Sequence, residues 1–414
     1  MPIADLADWL GEFSRENRIW YLKRLSANDT LATRAHQAGP YVPKDLLFEV
    51  FPMLEDRTRQ NPDVHFDAYI DSHADHKQVR AVWYNNRIIV PGGTRNEARI
   101  TGWGGAASAL LDPESTGALA VFAFERRDDG RPGDLHVWVC NHPIEEDLIE
   151  DRLGPIEPGM HAIWRPTASP TMTLFTAAAT GPLPCRLTPA DMPPGWLTTF
   201  PSGMDIVRKA VERRPMTGVR ADQRLVKRRD CEFEIFLSVE EAIEGPRIAR
   251  GFGSVNDFVA HAQSVLQRRK SRSGRSLELQ TREIFLEEGL VEGRTFAHQP
   301  ESDPGKRPDF LFPSEVAYKD PTFAAAHLRL LAVKTTCKDR WRQVINEADR
   351  IPVKHLLTLQ EGVSETQFAE MKAAGVRLVI PAPLAQKFPE SVQPELTTLE
   401  DFITSVRHLH IVAS

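Results

Sequence analysis

Cysteine is scarce and scattered: the 414-residue chain has four, Cys140, Cys185, Cys231 and Cys337, and no C-x-x-C pair. That spacing points away from a thiolate zinc module and from a disulfide framework. Long apolar runs are absent too, and a membrane-spanning helix needs roughly 20 consecutive apolar residues. The opening stretch MPIADLADWLGEF is acidic and amphipathic, without the basic start and apolar core of a secretory leader, so a cytoplasmic protein is expected. Neither sign of charge dominates: 51 Lys and Arg stand against 57 Asp and Glu, a formal net charge of −6.

That small negative total hides an uneven distribution. Between Arg208 and Arg229 nine basic residues accompany two acidic ones, and RRKSRSGR (268–275) adds five basic residues and no acid. Acid gathers in IEEDLIEDRLGPIE (144–157). Local basic surface decides phosphate contact, because screening makes distant charge count little. A single basic run is also what any solvated helix face looks like.

At this length one hydrophobic core is rarely enough, and two domains are expected. The first part has short β-type runs, VHFDAYIDSH, QVRAVWYNNRIIV, ALAVFAFERR, DLHVWVCN and MHAIWRP, separated by turn-forming stretches such as RDDGRPGD. This spacing suggests a small barrel. GPLPCRLTPADMPPG (181–195) carries five prolines and reads as a semi-rigid linker. The expected division is residues 1–178, a Pro-rich linker at 179–196, and a second domain at 197–414.

Beyond the linker, helices and strands alternate, as in an α/β sheet flanked by helices. In SVNDFVAHAQSVLQRR, Ser254 is a plausible N-cap ahead of an apolar stripe through Val255, Phe258, Val259, Ala262, Val265 and Leu266. A second helix is expected over 276–288, then apolar segments PDFLFP and LRLLAVKTT, a helix over about 339–350, the strand HLLTLQ, a helix SETQFAEMKAAG and the strand VRLVIPAP.

The most informative residues lie in RPDFLFP and LLAVKTTCKDRWRQVINEADR. Cleaving a phosphodiester takes a hard divalent cation on oxygen ligands, an activated water, and positive charge beside the phosphoryl group. Asp309 at a strand start, Lys334 at the end of the next strand and Glu347 on the following helix would supply that set. The usual second acid, two residues before the lysine, is here Ala332, which cannot bind metal. Glu347 would reach back to that place, on a helix face shared with Arg340 and Gln343. Glu278 shares a stripe with Arg282 and Phe285 and so points inward, where a buried carboxylate needs a partner; a metal-bound water is one option. The plainer readings are a turn-starting Pro-Asp, a solvated lysine and a mid-helix acid paired with a neighbouring arginine.

RRKSRSGRSLEL, KRPDFLFPS, LAVKTTCKDRWRQVINEADR, LLTLQEGVS and GVRLVIP are similar to segments of the EcoRII restriction endonucleases, as are YLKRLSANDT, RNEARIT and DPESTGAL nearer the start. The resemblance covers nearly the whole chain. It implies a multi-domain protein: an N-terminal, mostly β pseudobarrel that binds effector DNA, and a C-terminal α/β nuclease domain of the PD-(D/E)xK kind. It further implies Asp309, Lys334 and Glu347 as catalytic residues, with Asp309 and Glu347 holding Mg²⁺, Glu278 as an auxiliary acid and Tyr318 near the active centre. The implied activity is Mg²⁺-dependent double-strand cleavage at a 5′-CCWGG-like site, leaving a 5′-phosphate. A type IIE mode follows, with the N-terminal domain blocking the nuclease until a second copy of the site binds. The implied partners are double-stranded DNA at two or more sites, a second copy of the chain through the C-terminal domain, and a cognate DNA methyltransferase.

Two clusters have base-reading chemistry. Lys338-Asp339-Arg340, at a helix start, offers donors for guanine O6 and N7 and an acceptor for cytosine N4. Arg95, Glu97 and Arg99 alternate, so on a strand they project to one side as a donor–acceptor–donor row. Each is equally a surface ion-pair cluster. By resemblance Lys23, Asn28, His36 and Tyr41 belong to the same effector surface, and Gly93 stands where the family has a lysine. Arg228, Arg229 and Phe233 are candidates for a flipped-base pocket. The alternative reading of the whole chain is a sequence-specific DNA-binding regulator whose nuclease domain is inactive.

Overall fold

The computed structural model describes residues 2–33, 39–165 and 185–413. The chain divides into two compact units: Met1–Ala178 with Gln360–Phe368 and Lys387–Ser391, and Ala179–Leu359 with Ala369–Gln386 and Val392–Ser414. The expected architecture, a mostly β region followed by an α/β region, is the one observed.

The first unit is built on β1 (Arg18–Arg24), β2 (Asp63–Ile70), β3 (Asp75–Tyr84), β4 (Glu97–Thr101), β5 (Leu119–Glu125), β6 (Leu135–Val139) and β7 (His161–Trp164). Helices α1 (Pro2–Phe13), α2 (Lys44–Val50), the short α3 (Asn86–Ile89) and α4 (Pro143–Leu153) accompany them. The strands form one curled sheet in the order β4-β3-β2-β6-β5-β1-β7, antiparallel except for the β2–β6 pair. Both faces are covered. Ile19 and Tyr21 of β1 join the core under α2, with Phe51, Phe66, Phe122 and Phe124. Trp20 and Leu22, alternating with them, join Trp9, Phe13 and Trp138 on the other face. Each such large apolar side chain contributes about 1.5–3 kcal/mol on burial, so β1 is among the most stabilising segments of the sheet.

The second unit has five strands, β8 (Ala297–His298), β9 (Phe310–Phe312), β10 (Arg329–Val333), β11 (Lys354–Leu357) and β12 (Val376–Val379). Its helices are α5 (Gly203–Arg213), α6 (Ala221–Arg250), α7 (Val255–Glu287), α8 (Glu315–Lys319), α9 (Trp341–Val344), α11 (Ala382–Ala385) and α12 (Leu399–Ala413), while the residues of α10 (Glu365–Ala373) are divided between the two units at Phe368. The sheet order is β12-β11-β10-β9-β8; β10, β11 and β12 run parallel, and β9 and β8 are antiparallel to their neighbours. Phe285, Phe296, Phe310, Phe312 and Phe402 fill the core beside it.

Several expectations are corrected. The two helices expected over 254–288 are one, α7, capped by the Ser254 hydroxyl on Asp257 N. Its early apolar stripe is not buried within the chain: Val255, Phe258 and Val259 are 78%, 52% and 43% exposed. Farther along, α7 meets α6 largely through charge, with Arg268 on Glu244, Arg269 on Glu240 and Arg272 on Glu232. Cys185 and Cys231 form a disulfide across 46 residues, a pairing that no local spacing reveals. The end of the Pro-rich stretch is packed rather than free, since Cys185, Leu187 and Met192 are buried with Ile235, Phe236 and Val239.

Candidate active site and DNA-facing residues

The antiparallel pairing of β9 and β10 sets Leu331 opposite Phe310, so Asp309, just before β9, meets the end of β10. Its Oδ2 accepts a hydrogen bond from Val333 N at 2.7 Å. Lys334, the next residue, brings Nζ to 3.6 Å from the same oxygen. Glu347 completes the group electrostatically: burial pushes its carboxyl up to about 7, Lys334 opposes that, and Asp309 adds to it. Asp309 is also raised, first by burial and further by Glu278, against the pull of Lys334.

Glu347 sits differently from expectation. The helix after Lys334 is one short turn, Trp341–Val344, and Glu347 lies in the turn beyond it, so the shared face with Arg340 and Gln343 does not exist. Beyond the helix, Ala348 has a left-handed backbone, φ 48°, and the buried Lys354 of β11 donates to the carbonyls of Glu347 and Ala348. Lys354 therefore fixes the turn that carries the acid. Glu347 Oε2 is buried and has no hydrogen-bond partner, an arrangement that costs about 1–3 kcal/mol or more if it persists.

That orphaned oxygen is the test of a cation's fit. Two half-buried carboxyl groups that repel each other, with hard oxygen donors, are what a divalent ion would relieve. No group of three or more His, Cys, Asp or Glu among the described residues forms a ready cage. Mg²⁺ typically takes only one or two protein carboxylates and fills the remainder with water and phosphate oxygens, so the pair suffices.

Glu278, on α7, is buried and held by Gln299 Nε2 at 2.7 Å and by His298 Nε2. Neither partner stands out in the sequence. Tyr318 is placed elsewhere than expected for a catalytic group. Its hydroxyl donates to Asp303 Oδ2 at 2.8 Å and accepts from Arg350 N at 3.3 Å, and burial raises it to about 12. Asp303 also accepts from Asp349 N at 3.1 Å, so Tyr318 and Asp303 brace the backbone just after Glu347.

Lys338, Asp339 and Arg340 precede α9 in a turn instead of opening a helix, which begins at Trp341. Buried Cys337 and Trp341 bracket the triplet, and Trp341 N reaches Cys337 O at 3.2 Å. Asp339 pairs with Arg342 at 3.4 Å. Arg228 and Phe233 do not open onto a base pocket: Arg228 holds Glu287 at 2.7 Å, and Phe233 lies under the Arg272 guanidinium at 4.5 Å. Arg229 is buried.

In the first unit the alternation in RNEARIT is realised, with Ala98 and Ile100 in the core and Glu97 and Arg99 on the outer face of β4. Arg95 lies just before the strand. Glu97 is shared, Oε1 with Arg95 at 2.7 Å and Oε2 with Arg99 at 3.1 Å, and Arg95 stacks 4.0 Å from the Tyr84 ring. Hydrogen bonds from Arg99 and then Arg95 hold the Glu97 carboxyl below its usual range. Gly93 has no room for a side chain, because a Cβ there would stand 2.2 Å from Asn86 O. Lys23 is tied to Asp29 at 2.7 Å, Asn28 accepts from Thr33 at 2.9 Å, and Tyr41 is exposed. His36 lies outside the described residues.

Two family descriptions match the chain, "Restriction endonuclease EcoRII, N-terminal" over residues 14–168 and "EcoRII C terminal" over 236–403. A curated relative, "Type II restriction enzyme EcoRII" of Escherichia coli, is 44% identical over 418 residues and covers 99% of each chain. The chain belongs to the EcoRII family. This EcoRII-family chain is therefore a type II restriction enzyme, a site-specific deoxyribonuclease. Among solved structures it overlaps "Metal-depleted Ecl18kI in complex with uncleaved DNA" at TM-score 0.42 and 20% identity, over 53% of this chain and 85% of that one. It overlaps the UbaLAI restriction endonuclease B3 domain with cognate DNA at TM-score 0.26 and 23% identity, over 38% and 97%. Those overlaps are too partial to bear on chemistry. Among the described residues no helix is long and apolar enough to cross a membrane.

Proposed function

We propose that the chain cuts both strands of a 5′-CCWGG-like site by Mg²⁺-dependent hydrolysis, and that Asp309, Lys334 and Glu347 carry the reaction. The observation that supports this most is the buried, unpartnered Glu347 Oε2 beside Asp309 and Lys334. Asp309 and Glu347 would hold the cation, which when bound polarises the phosphoryl oxygens and lowers the proton affinity of a coordinated water. Lys334 orients the attacking water through its ammonium and stabilises negative charge on the phosphoryl group. The water proton passes to solvent, the 3′-oxygen leaves, and the 5′-phosphate stays on the product.

Lys338, Asp339 and Arg340 read the CC/GG half of the site, and Arg95, Glu97 and Arg99, with Lys23, Asn28, His36 and Tyr41, read a second copy. The enzyme works as a type IIE homodimer in the cytoplasm, with the N-terminal domain restraining the nuclease and a cognate methyltransferase protecting host DNA. A symmetric target calls for two active centres. The exposed stripe Val255, Phe258 and Val259, with Ile248 nearby on α6, offers the C-terminal unit an apolar patch of the kind that marks protein interfaces.

Digestion of mapped plasmids with end sequencing tests the reading. It predicts Mg²⁺-dependent breaks before the first cytosine of each site, bearing 5′-phosphates; ends at unrelated sequences would overturn it. Deletion of residues 1–180 tests the restraint, which is absent if the remaining nuclease is no more active on single-site DNA than the whole chain.

A further inference from the structure

We infer that His298 and Gln299 are positioning residues for DNA cleavage: they grip Glu278 by one carboxylate oxygen and leave the other for the reacting shell beside Asp309. This rests on the reading of Asp309, Lys334 and Glu347 as the cleavage centre. Glu278 is 5% exposed, and a buried carboxylate persists only with donors that replace water. Both donors converge on Oε1, His298 through Nε2 and Gln299 through its amide at 2.7 Å. Among the described residues Oε2 accepts no hydrogen bond, and Glu278 lies within electrostatic reach of Asp309, whose carboxyl it raises.

The two donors are themselves fixed to the catalytic strand. The β8–β9 register sets His298 opposite Phe310, and the two rings stack with centroids 5.2 Å apart, which defines the imidazole's orientation. Gln299 N donates to Asp309 O at 2.9 Å, so one residue touches both acids, Asp309 by backbone and Glu278 by side chain. It does so from a left-handed backbone, φ 51°, which costs a non-glycine residue about 1–3 kcal/mol and survives where its surroundings enforce it. A tie serving only to join α7 to β8 would not need two donors on one oxygen, nor a strained residue bridging two carboxylates.

The test is a double-mutant cycle on the full-length enzyme: His298→Ala, Glu278→Gln and the pair, with His298→Gln as a variant that keeps a donor. Single-turnover cleavage at saturating enzyme, duplex affinity without Mg²⁺ and Tm are measured for each. His298→Ala should slow cleavage about tenfold to a hundredfold, as loss of a group that orients a ligating residue does, with duplex affinity unchanged. His298→Gln should recover part of that loss. In the Glu278→Gln background His298→Ala should change the rate by no more than about twofold, the limit of non-coupling. Full cleavage by His298→Ala, or an equal loss with and without Glu278, overturns the inference. Should His298→Ala fail to fold, Gln299→Ala carries the same cycle. Asp309→Ala separates the two levels: if it cleaves normally, the underlying centre is wrong, whereas if it is dead and His298→Ala is fully active, only the positioning role falls.

Discussion

The outer face of β4 and the end of β10 each gather charged side chains, and they treat them in opposite ways. On β4 every oxygen of Glu97 has a guanidinium, and the acid is stabilised in its charged form. At β10 one lysine serves two acids, both raised by burial, and Glu347 Oε2 has nothing. A self-satisfied row can exchange its partners for base edges at little net cost, because exposed pairs contribute only about 0–1 kcal/mol. A half-buried, under-neutralised pair lacks a positive charge, and that deficit is what supports reading it as a cation site.

The largest expected effect breaks the second cluster. Asp309→Ala and Lys334→Ala should each lower single-turnover cleavage by at least about a hundredfold, with duplex binding retained; cleavage rates close to wild type would remove those residues from the centre. Next comes the loop that supports the first cluster. Gly93→Lys should destabilise the first unit by about 1–3 kcal/mol as an overpacked site does, because its Cβ would meet Asn86 O at 2.2 Å. A rise in Tm together with tighter effector binding would show that the loop yields instead.

Third, pH separates the two regions. Glu347 is raised from 4.5 to about 7, so its protonated form stabilises the metal-free fold fully below pH 4.5, and that stability is lost as pH rises through about 7. The loss should be at most about 2 kcal/mol given its partial exposure, and Glu347→Gln should abolish it. His136 is raised from 6.5 to about 9; burial opposes this, but hydrogen bonds to Asp134 and Asp71 outweigh it. Its contribution is complete below pH 6.5 and disappears toward 9. Denaturation followed across pH 4–10 should show the two windows, and a Glu347→Gln protein with the wild-type profile would contradict the assignment. The smallest effect is on β4: Glu97→Gln should shift Tm by an amount equivalent to less than about 1 kcal/mol while altering sequence preference in filter binding. Unchanged preference would leave that row purely structural.

Much of this was legible in sequence. Alternation exposed β2, β3 and β4, where one face is polar, while the spacing of Asp309, Lys334 and Glu347 only raised them as candidates and the resemblance to the EcoRII family singled them out. β1 was illegible because both of its faces are buried, so RIWYLKR shows no polar–apolar alternation. The short α9 was mistaken for a long helix because the turn that replaces its continuation is held by Lys354, a residue from the next strand. His298, Gln299 and Asp303 escaped for the same reason: their partners are 15–46 residues away and only the β8–β9–β10 pairing introduces them. The α7 stripe shows the converse, a clean helical period in sequence whose first residues stay exposed among the described residues.

The most direct test of the cation site is Glu347→Ala, assayed by single-turnover cleavage of a mapped duplex in Mg²⁺ alongside binding of the same duplex without it. The account predicts intact binding with cleavage reduced by at least about a hundredfold. Undiminished cleavage would contradict it.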